Sequence, residues 1–328
     1  MSYYVVDGHC DTAGLFLSED VNYDFTKKNK TGHIDLPRLR SGGVKIQFFA
    51  LYIEAEFKPS GALHRCLQLI DGYYRTAKRC RNELLTIFNL ADLREAINGP
   101  KTAALLTVEG GEALENDLSV LRVLFCLGIR GLGLTWNQRN QLATGVGEGI
   151  KGDGLTSFGC EVVREMNNLG MLVDLAHINE NGFYDAISLS SAPVIVSHAN
   201  ARAICDHPRN LSDDQLRKLS DHNGIIGLSF CPSFIHRENP SLETLLDHFV
   251  HVAEVAGIDH LGLGSDFDGI EQTVEGLDDV SCLPRLIEGL LSRGFTPQEV
   301  QKITSGNFLR MLEKVLPAEQ KKREQGRM

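Results

Sequence analysis

The sequence predicts a single (β/α)8 TIM-like barrel with additional C-terminal helices. Three observations predict this fold. Eight short apolar runs recur along the 328 residues, helical patterns separate most of them, and histidines and carboxylates follow several of the runs. Nearly continuous apolar runs are typical of parallel strands that are buried on both faces. In a barrel of such strands, the polar residues that follow them would meet at one end.

The eight predicted strands are spread along the whole chain. In order they are Tyr3–Asp7, Val44–Leu51, Thr102–Val108, Ile129–Leu134, Met171–Leu175, Val194–Ser197, Gly224–Phe230 and His260–Gly264. The longest insertion, residues 11–43, follows the first strand and carries little pattern. An open, doubly wound sheet is the alternative. The strand count and the positions of the polar residues favour the barrel.

Apolar residues recur every three or four positions between most strands, which indicates amphipathic helices. These predicted helices are His64–Arg81, Leu118–Leu127, Phe158–Leu169, Gly182–Leu189, Asp213–His222 and Leu242–Ala256. Ser212 with Gln215 is a capping-box pattern at the start of one of them. Several glycines should end helices in a left-handed conformation. They are Gly128, Gly170, Gly224 and Gly257.

Further helices follow the eighth strand, within residues 280–316. They are expected at Val280–Arg293, Pro297–Thr304 and Asn307–Val315. Thr296 followed by Pro297 marks the start of the second one, because proline is favoured at the first helical position. We expect residues 317–328 to form a frayed tail. The whole chain, residues 1–328, is therefore predicted to be one domain.

Composition and charge exclude several classes of protein. The chain is 42% hydrophobic and 23% charged, which is typical of a globular protein and not of a disordered one. Its 33 basic and 43 acidic residues give a net charge of −10, which disfavours a nucleic-acid partner. No apolar stretch approaches the ~20 residues that span a bilayer, so we expect no membrane partner.

The cysteines and the first residues favour a cytoplasmic location. The eight cysteines are scattered without a CxxC pair, which is typical of reduced thiols. The opening segment, MSYYVVDGHCDT, lacks the basic and apolar regions of a signal peptide. We also expect a homodimer, because barrels of this size often dimerise.

Residues that commonly bind metals stand at the ends of different predicted strands. His9 and Asp11 follow the first strand and alternate at period two, so both side chains can point the same way. Glu109, His177 and His198 follow three other strands. Imidazole and carboxylate groups are the usual ligands of zinc and similar ions. A shared carboxylate can hold two ions close together, and Glu109 is well placed for that task.

Each of these residues also has a structural interpretation. A lone His-x-Asp arises often by chance, and a single histidine at a strand end is more often hydrogen-bonded than metal-bound. Five such residues together make independent structural reasons the less economical account. The remaining histidines lie away from this pattern, and most of them are interpreted as structural or solvated. They are His33, His64, His207, His222, His236, His248, His251 and His260.

Six segments in a fixed order carry a family resemblance that spans nearly the whole chain. They are DGHCDT, TVEGGE, DLAHINENGF, APVIVSHANARAICDHPRNLSDDQL, LGLGSDFDGI and GNFLRML. With them the sequence resembles the renal (membrane) dipeptidase family, whose members are binuclear zinc peptidases within the amidohydrolase-like barrels. The resemblance implies that His9 and Asp11 bind one zinc ion, that His177 and His198 bind the other, and that Glu109 bridges both.

The resemblance also implies roles for two residues in catalysis and substrate binding. Arg209 matches the arginine that holds the C-terminal carboxylate of the substrate, although a loop salt bridge is the default interpretation of one arginine. Asp266 matches the aspartate that handles protons at the bridging water. Asp268, which follows it closely, is interpreted as a helix or loop cap.

Two positions depart from the family pattern. Trp136 stands where mammalian members have a histidine that is thought to polarise the scissile carbonyl. Either its indole N–H or Asn137 supplies the donor, the bulky ring walls the pocket, or the substrate range differs. Glu112 likewise replaces a family histidine.

The implied reaction is hydrolysis of the peptide bond of a dipeptide by a hydroxide held between two metal ions. The ions are expected to be Zn²⁺, with Mn²⁺ or Co²⁺ as alternatives. The nearest rival is another amidohydrolase that acts on a cyclic amide, a lactone or an N-acyl amino acid. A phosphoesterase is disfavoured because no basic cluster for phosphate is evident. A catalytically silent binding protein with the same fold is a rival of a different class.

Overall fold

The computed structural model describes residues 3–17 and 23–318 and contains a closed barrel of parallel strands. The strands are β1 Val5–Asp7, β2 Val44–Tyr52, β3 Leu84–Thr86, β4 Thr102–Glu109, β5 Ile129–Gly133, β6 Leu172–Asp174, β7 Ile195–Ala199, β8 Ile225–Leu228 and β9 Leu261–Leu263. Around the barrel the order is β1-β2-β4-β5-β6-β7-β8-β9, and β9 pairs with β1 to close it. The predicted (β/α)8 barrel is confirmed.

The strand β3 is outside this ring of eight and was not predicted. It pairs with the start of β4, from Thr102 to Ala104. On the same side of β4, β5 pairs only from Leu106 onward. The short strand therefore fills the gap that β5 leaves at the amino-terminal end of the barrel. Three residues carry too little periodicity to indicate a strand.

Twelve helices surround the strands in the described residues. They are α1 Leu36–Ser41, α2 Ala62–Arg79, α3 Leu90–Asn98, α4 Leu118–Cys126, α5 Ser157–Leu169, α6 Glu180–Leu189, α7 Asp213–Asp221, α8 Pro232–Ile235, α9 Leu242–Ala256, α10 Leu283–Ser292, α11 Pro297–Gln301 and α12 Asn307–Val315. The predicted capping box of Ser212 and Gln215 is present. The helices α1, α3 and α8 were missed. They have nine residues or fewer, so each shows little more than two helical turns of pattern.

Three of the four predicted glycine stops have a positive φ: Gly128, Gly170 and Gly257. Gly224 does not. At the end of α7 the left-handed residue is Asn223, with φ 57°. Asparagine adopts this conformation more readily than other side chains do, so the turn is made one residue earlier than predicted.

The helix α12 closes the amino-terminal end of the barrel. Phe308 on α12 is buried and packs edge-on against Phe48 of β2, with ring centroids 5.5 Å apart. Its ring also lies against Gly262 of β9, where a Cβ atom would collide with it. Met311 and Leu312 of the same helix join this inner core. The predicted C-terminal helices thus complete the barrel.

Several sequence-based expectations concern the surface and the ends of the chain. All eight cysteines are free thiols. Between residues 3 and 318, leaving aside 18–22, the helices are too short or too polar to cross a bilayer. The Pro317 carbonyl accepts a hydrogen bond from the Leu90 N–H, so the chain is still attached at residue 317. The rest of the expected frayed tail, from residue 319, lies outside the described residues.

Candidate metal centre

The five candidate metal ligands lie together at the carboxyl ends of the strands. His9 and Asp11 follow β1, Glu109 is the last residue of β4, His177 follows β6, and His198 lies near the end of β7. Their side chains converge because parallel strands of a barrel end on the same face.

Glu109 is at the centre of this group. Its Oε1 atom lies 2.8 Å from His177 Nε2 and 3.6 Å from His198 Nε2. Its Oε2 atom lies 3.8 Å from His9 Nε2. Asp11 Oδ2 lies 3.5 Å from the same His9 nitrogen. One carboxylate therefore faces three imidazoles with its two oxygens.

In the described residues, three sets of three side chains could each hold a metal ion. Within each set the potential ligand atoms lie within 4.8 Å of one another. The sets are Glu109 with His177 and His198, His9 with Asp11 and Glu109, and His9 with His198 and Asp266. Glu109 belongs to the first two sets, which correspond to the two pairs of ligands that the sequence suggested. Asp266 lies beside them, with its Oδ1 atom 3.9 Å from His9 Nε2.

The outer nitrogens of two imidazoles have polar partners that direct Nε2 inward. His177 Nδ1 lies 2.8 Å from Asn137 Oδ1, and His198 Nδ1 lies 2.9 Å from Ser197 Oγ. An amide oxygen only accepts hydrogen bonds, so Asn137 places the proton of His177 on Nδ1. Asn137 was predicted to face the substrate. It also lines the cavity, but its contact with a candidate ligand was not foreseen.

The residues of this centre fit a divalent cation. Among residues 3–17 and 23–318, the buried His9 Nε2 and Asp11 Oδ1 atoms find no hydrogen-bond partner, which is costly for a polar atom. His177 Nε2 and His198 Nε2 are 2.8 Å apart, so two nitrogen lone pairs face one another unless a proton or a metal intervenes. Nitrogen and carboxylate oxygen are the donor types that zinc, manganese and cobalt accept.

The charges of the centre point to the same conclusion. Burial lowers the pKa of His9, but Glu109, Asp11 and Asp266 outweigh it and raise that pKa to about 10. Burial also raises the pKa of Asp266 to about 8, with further contributions from Asp11 and Glu109 against the opposing effect of His9. The buried carboxylates therefore create a strongly negative potential that favours positive charge between them.

Backbone conformation at the strand ends is unusual. His177 and Asp266 have φ values of 67° and 65°, a region that non-glycine residues rarely adopt. Such conformations cluster at functional sites, where the surrounding fold maintains them. Gly269 packs directly on the carboxylates of Asp11 and Asp266, and any side chain there would displace them.

A cavity of about 730 Å³ opens above the centre, and Arg209 forms part of its wall. The guanidinium is buried. Its Nη2 atom donates to the His198 carbonyl at 3.0 Å, and the group lies 5.3 Å from the centre of the Phe234 ring. Its Nε atom has no hydrogen-bond partner in the described residues. Arg209 is thus held in place by one of its N–H groups, while its Nε–H is still available to bind a carboxylate ligand.

Trp136 forms part of another wall of the cavity. Its ring lies 5.4 Å from Tyr52 and 5.9 Å from His177. The Lys58 ammonium lies over both aromatic rings, 5.1 Å from the centre of Trp136 and 5.4 Å from that of Tyr52. Glu112 Oε1 is 3.4 Å from the same ammonium. Glu112 therefore pairs with Lys58 behind the tryptophan, a contact that the sequence did not reveal.

Asp268 has a structural position, as its interpretation as a cap implied. Its Oδ2 atom accepts from the Thr12 hydroxyl at 2.6 Å, and its Oδ1 atom accepts from the His33 N–H at 2.5 Å. Its own N–H donates to His33 Nδ1 at 2.9 Å. Asp268 thereby ties the loop after β9 to the long first insertion, beside the centre.

A family model described as membrane dipeptidase, peptidase family M19, matches residues 1–326. The chain belongs to the membrane dipeptidase family. Dipeptidase tcpJ of Claviceps purpurea is 36% identical over 327 residues, which cover 94% of this chain and 76% of that protein. An uncharacterized dipeptidase of Schizosaccharomyces pombe, C965.12, is 35% identical over 333 residues and covers 94% of this chain and 80% of its own length.

Solved structures of family members are closely similar to this barrel. Dipeptidase AC, a metallopeptidase of family M19, is 31% identical with a TM-score of 0.91, over 97% of this chain and 100% of that chain. A metallopeptidase of Rhodobacter sphaeroides, liganded with a phosphinate mimic of the dipeptide L-Ala-D-Ala, is 30% identical with a TM-score of 0.89. That match covers 96% of this chain and 100% of the other. The family resemblance inferred from the motifs is confirmed.

Substitution of one imidazole tests the metal centre of this M19 chain. We expect His177→Ala and His198→Ala each to lower the metal content, because each removes a donor from the set that these two histidines form with Glu109. Peptide hydrolysis should fall in parallel. Elemental analysis of the purified variants measures the first effect. His64→Ala, on the exposed face of α2, is the control. Full metal content with normal turnover in both variants would refute the assignment.

Proposed function

We propose that this chain is a metal-dependent dipeptidase that hydrolyses short peptides with a free C-terminal carboxylate. The observation that carries the proposal is the convergence of five nitrogen and carboxylate ligands at the floor of a cavity that Arg209 also lines. A cavity of about 730 Å³ is of the size that holds small ligands such as a dipeptide. Membership of the M19 family supports the same reaction.

Two divalent ions would occupy the two donor sets that share Glu109. His9 and Asp11 complete one set, and His177 and His198 complete the other. We propose Zn²⁺ in both, with Mn²⁺ or Co²⁺ as substitutes. When bound, such ions lower the pKa of a water molecule to near neutrality and polarise a carbonyl oxygen.

The chain's own residues position the substrate. We propose that Arg209 binds the C-terminal carboxylate, because its guanidinium is buried and donates to the His198 carbonyl, while its Nε has no partner within the part of the chain that the structure describes. Trp136 walls the cavity on another side, where its indole N–H is a donor. Asn137 uses its amide oxygen on His177, so its NH₂ group is the part that remains for a substrate carbonyl.

Asp266 is the residue that we propose moves protons. Its carboxylate lines the cavity and lies 3.9 Å from His9 Nε2, beside both donor sets. From there it can accept a proton from the attacking water and deliver it to the leaving amine. The loop conformation that aims it inward has a positive φ and depends on the close approach of Gly269.

A substrate panel tests the proposed activity. The protein is reconstituted with Zn²⁺, Mn²⁺ or Co²⁺ and incubated with L-L and L-D dipeptides. The L-D series is included because the Rhodobacter sphaeroides relative is liganded with a mimic of L-Ala-D-Ala. We expect release of both amino acids. Cyclic amides, lactones and N-acyl amino acids are offered in parallel. Turnover of those compounds alone would favour the rival amidohydrolase, and no turnover with metal bound would favour a silent binding protein.

Replacement of the cavity arginine tests the carboxylate site. Arg209→Met should raise KM for dipeptides by about 10- to 100-fold with a smaller change in kcat, because a charged hydrogen bond is worth about 1.5–3 kcal/mol. Steady-state kinetics measure both constants. Dipeptide amides are the matched control: the wild-type protein should discriminate against them and the variant should not. An unchanged KM for free dipeptides would remove the proposed role.

Asp266→Asn tests proton transfer at nearly constant side-chain volume. We expect kcat to fall by about 10²- to 10⁴-fold, the range usual for loss of a general acid or base. Metal content is determined on the same preparation and should be unchanged. A loss of metal would instead make Asp266 a ligand, and an unchanged kcat with full metal would contradict the role altogether.

We further propose that the chain is one domain over residues 1–328, that it forms a homodimer and that it acts in the cytoplasm on small peptides. These proposals rest on the sequence patterns. Light scattering of the purified protein measures the mass in solution, for which we expect twice the 36.2 kDa of one chain.

A further inference from the structure

Ser197 lies between the outer nitrogens of two candidate metal ligands. It is in β7, directly before His198, and is 1% exposed. Its Oγ atom is 2.9 Å from His198 Nδ1 and 3.5 Å from His9 Nδ1. The two imidazole rings face one another with centroids 3.8 Å apart. One hydroxyl therefore contacts a ligand from each of the two donor sets.

Metal binding at Nε2 would determine which ring nitrogen of His9 and of His198 carries the proton. Nε2 of His9 faces Asp11 and Glu109, and Nε2 of His198 faces Glu109. A neutral imidazole that offers the lone pair of Nε2 to a cation must carry its proton on Nδ1. Both Nδ1–H groups then point at Ser197. A hydroxyl oxygen has two lone pairs, so it can accept from both rings and still donate its own proton.

Asp174 holds the backbone at Ser197. It is the last residue of β6, and its Oδ1 atom accepts from the backbone N–H groups of Ser197 and Ala176, each at 3.0 Å. The backbone of the serine is thus held by a carboxylate while its hydroxyl faces two imidazoles.

We propose that Ser197 is a positioning residue shared by both metal subsites, whose hydroxyl accepts from the Nδ1–H groups of His9 and His198 and so keeps both Nε2 atoms directed at Glu109. The inference rests on the proposed metal centre. It assigns to one small side chain an effect on both ions, whereas Asn137 orients only His177. Such outer partners of metal-binding imidazoles typically contribute 10- to 100-fold to metal affinity.

Metal-binding isotherms of Ser197→Ala test the shared role without recourse to activity. Competition with a chromophoric chelator resolves the two dissociation constants. We expect each to rise about 10- to 100-fold, and Ser197→Thr, which keeps the hydroxyl, to restore both. Ser229→Ala is the matched control. Ser229 is a fully buried serine just after the neighbouring strand β8, and its Oγ atom accepts from the Cys231 N–H instead of an imidazole.

The outcomes separate this inference from the metal proposal. Two unchanged constants in Ser197→Ala, or a change in only one of them, would contradict a shared role. A wild-type protein that binds fewer than two ions would contradict the metal centre itself. Histidine ¹⁵N NMR of the zinc-loaded wild-type protein needs no variant. It should place the protons of His9 and His198 on Nδ1, and a proton on Nε2 of either ring would overturn the inference.

Discussion

The contact on which the rest of the centre depends is that of the Glu109 carboxylate with three imidazoles. Its two oxygens lie between 2.8 and 3.8 Å from the Nε2 atoms of His177, His198 and His9. Glu109 can do this because it is the last residue of a long, fully buried strand. The barrel then brings the ends of β1, β6 and β7 to the same point. Without the closed ring of strands these groups would be far apart.

Several buried polar side chains around this contact are hydrogen-bonded or ion-paired to one another. Asp7, buried below the centre, accepts from the Ser265 hydroxyl and N–H and from the Gln47 amide. Lys58 and Glu112 pair behind Trp136. In a low-dielectric interior, such partners keep the surrounding side chains in one arrangement. The cavity is therefore supported by residues that do not themselves line it.

Periodicity and strand-end position were sufficient to predict the barrel and its five candidate ligands. His9 and Asp11 alternate along an extended segment, and Glu109, His177 and His198 each follow an apolar run, so their common face could be inferred. Contacts across the barrel could not. Ser197 and His9 are 188 residues apart, and no local pattern reveals that a hydroxyl on β7 reaches an imidazole after β1. The pairing of Glu112 with Lys58 was hidden for the same reason.

The barrel closes where β1 pairs with β9, and α12 covers its amino-terminal end. Both contacts join the start of the chain to segments that are synthesised late, so the barrel can be completed only near the end of synthesis. The candidate ligands His9 and Asp11 precede most of the barrel along the chain, but β1 gains its second neighbour only when Leu263 has been made. Phe308 arrives later still, and it fills the interior beside Gly262. Contacts between such distant segments form slowly and are exposed to misfolding until they do. The two candidate ligands after β1 are therefore made well before the strand that completes the end of the barrel where they lie.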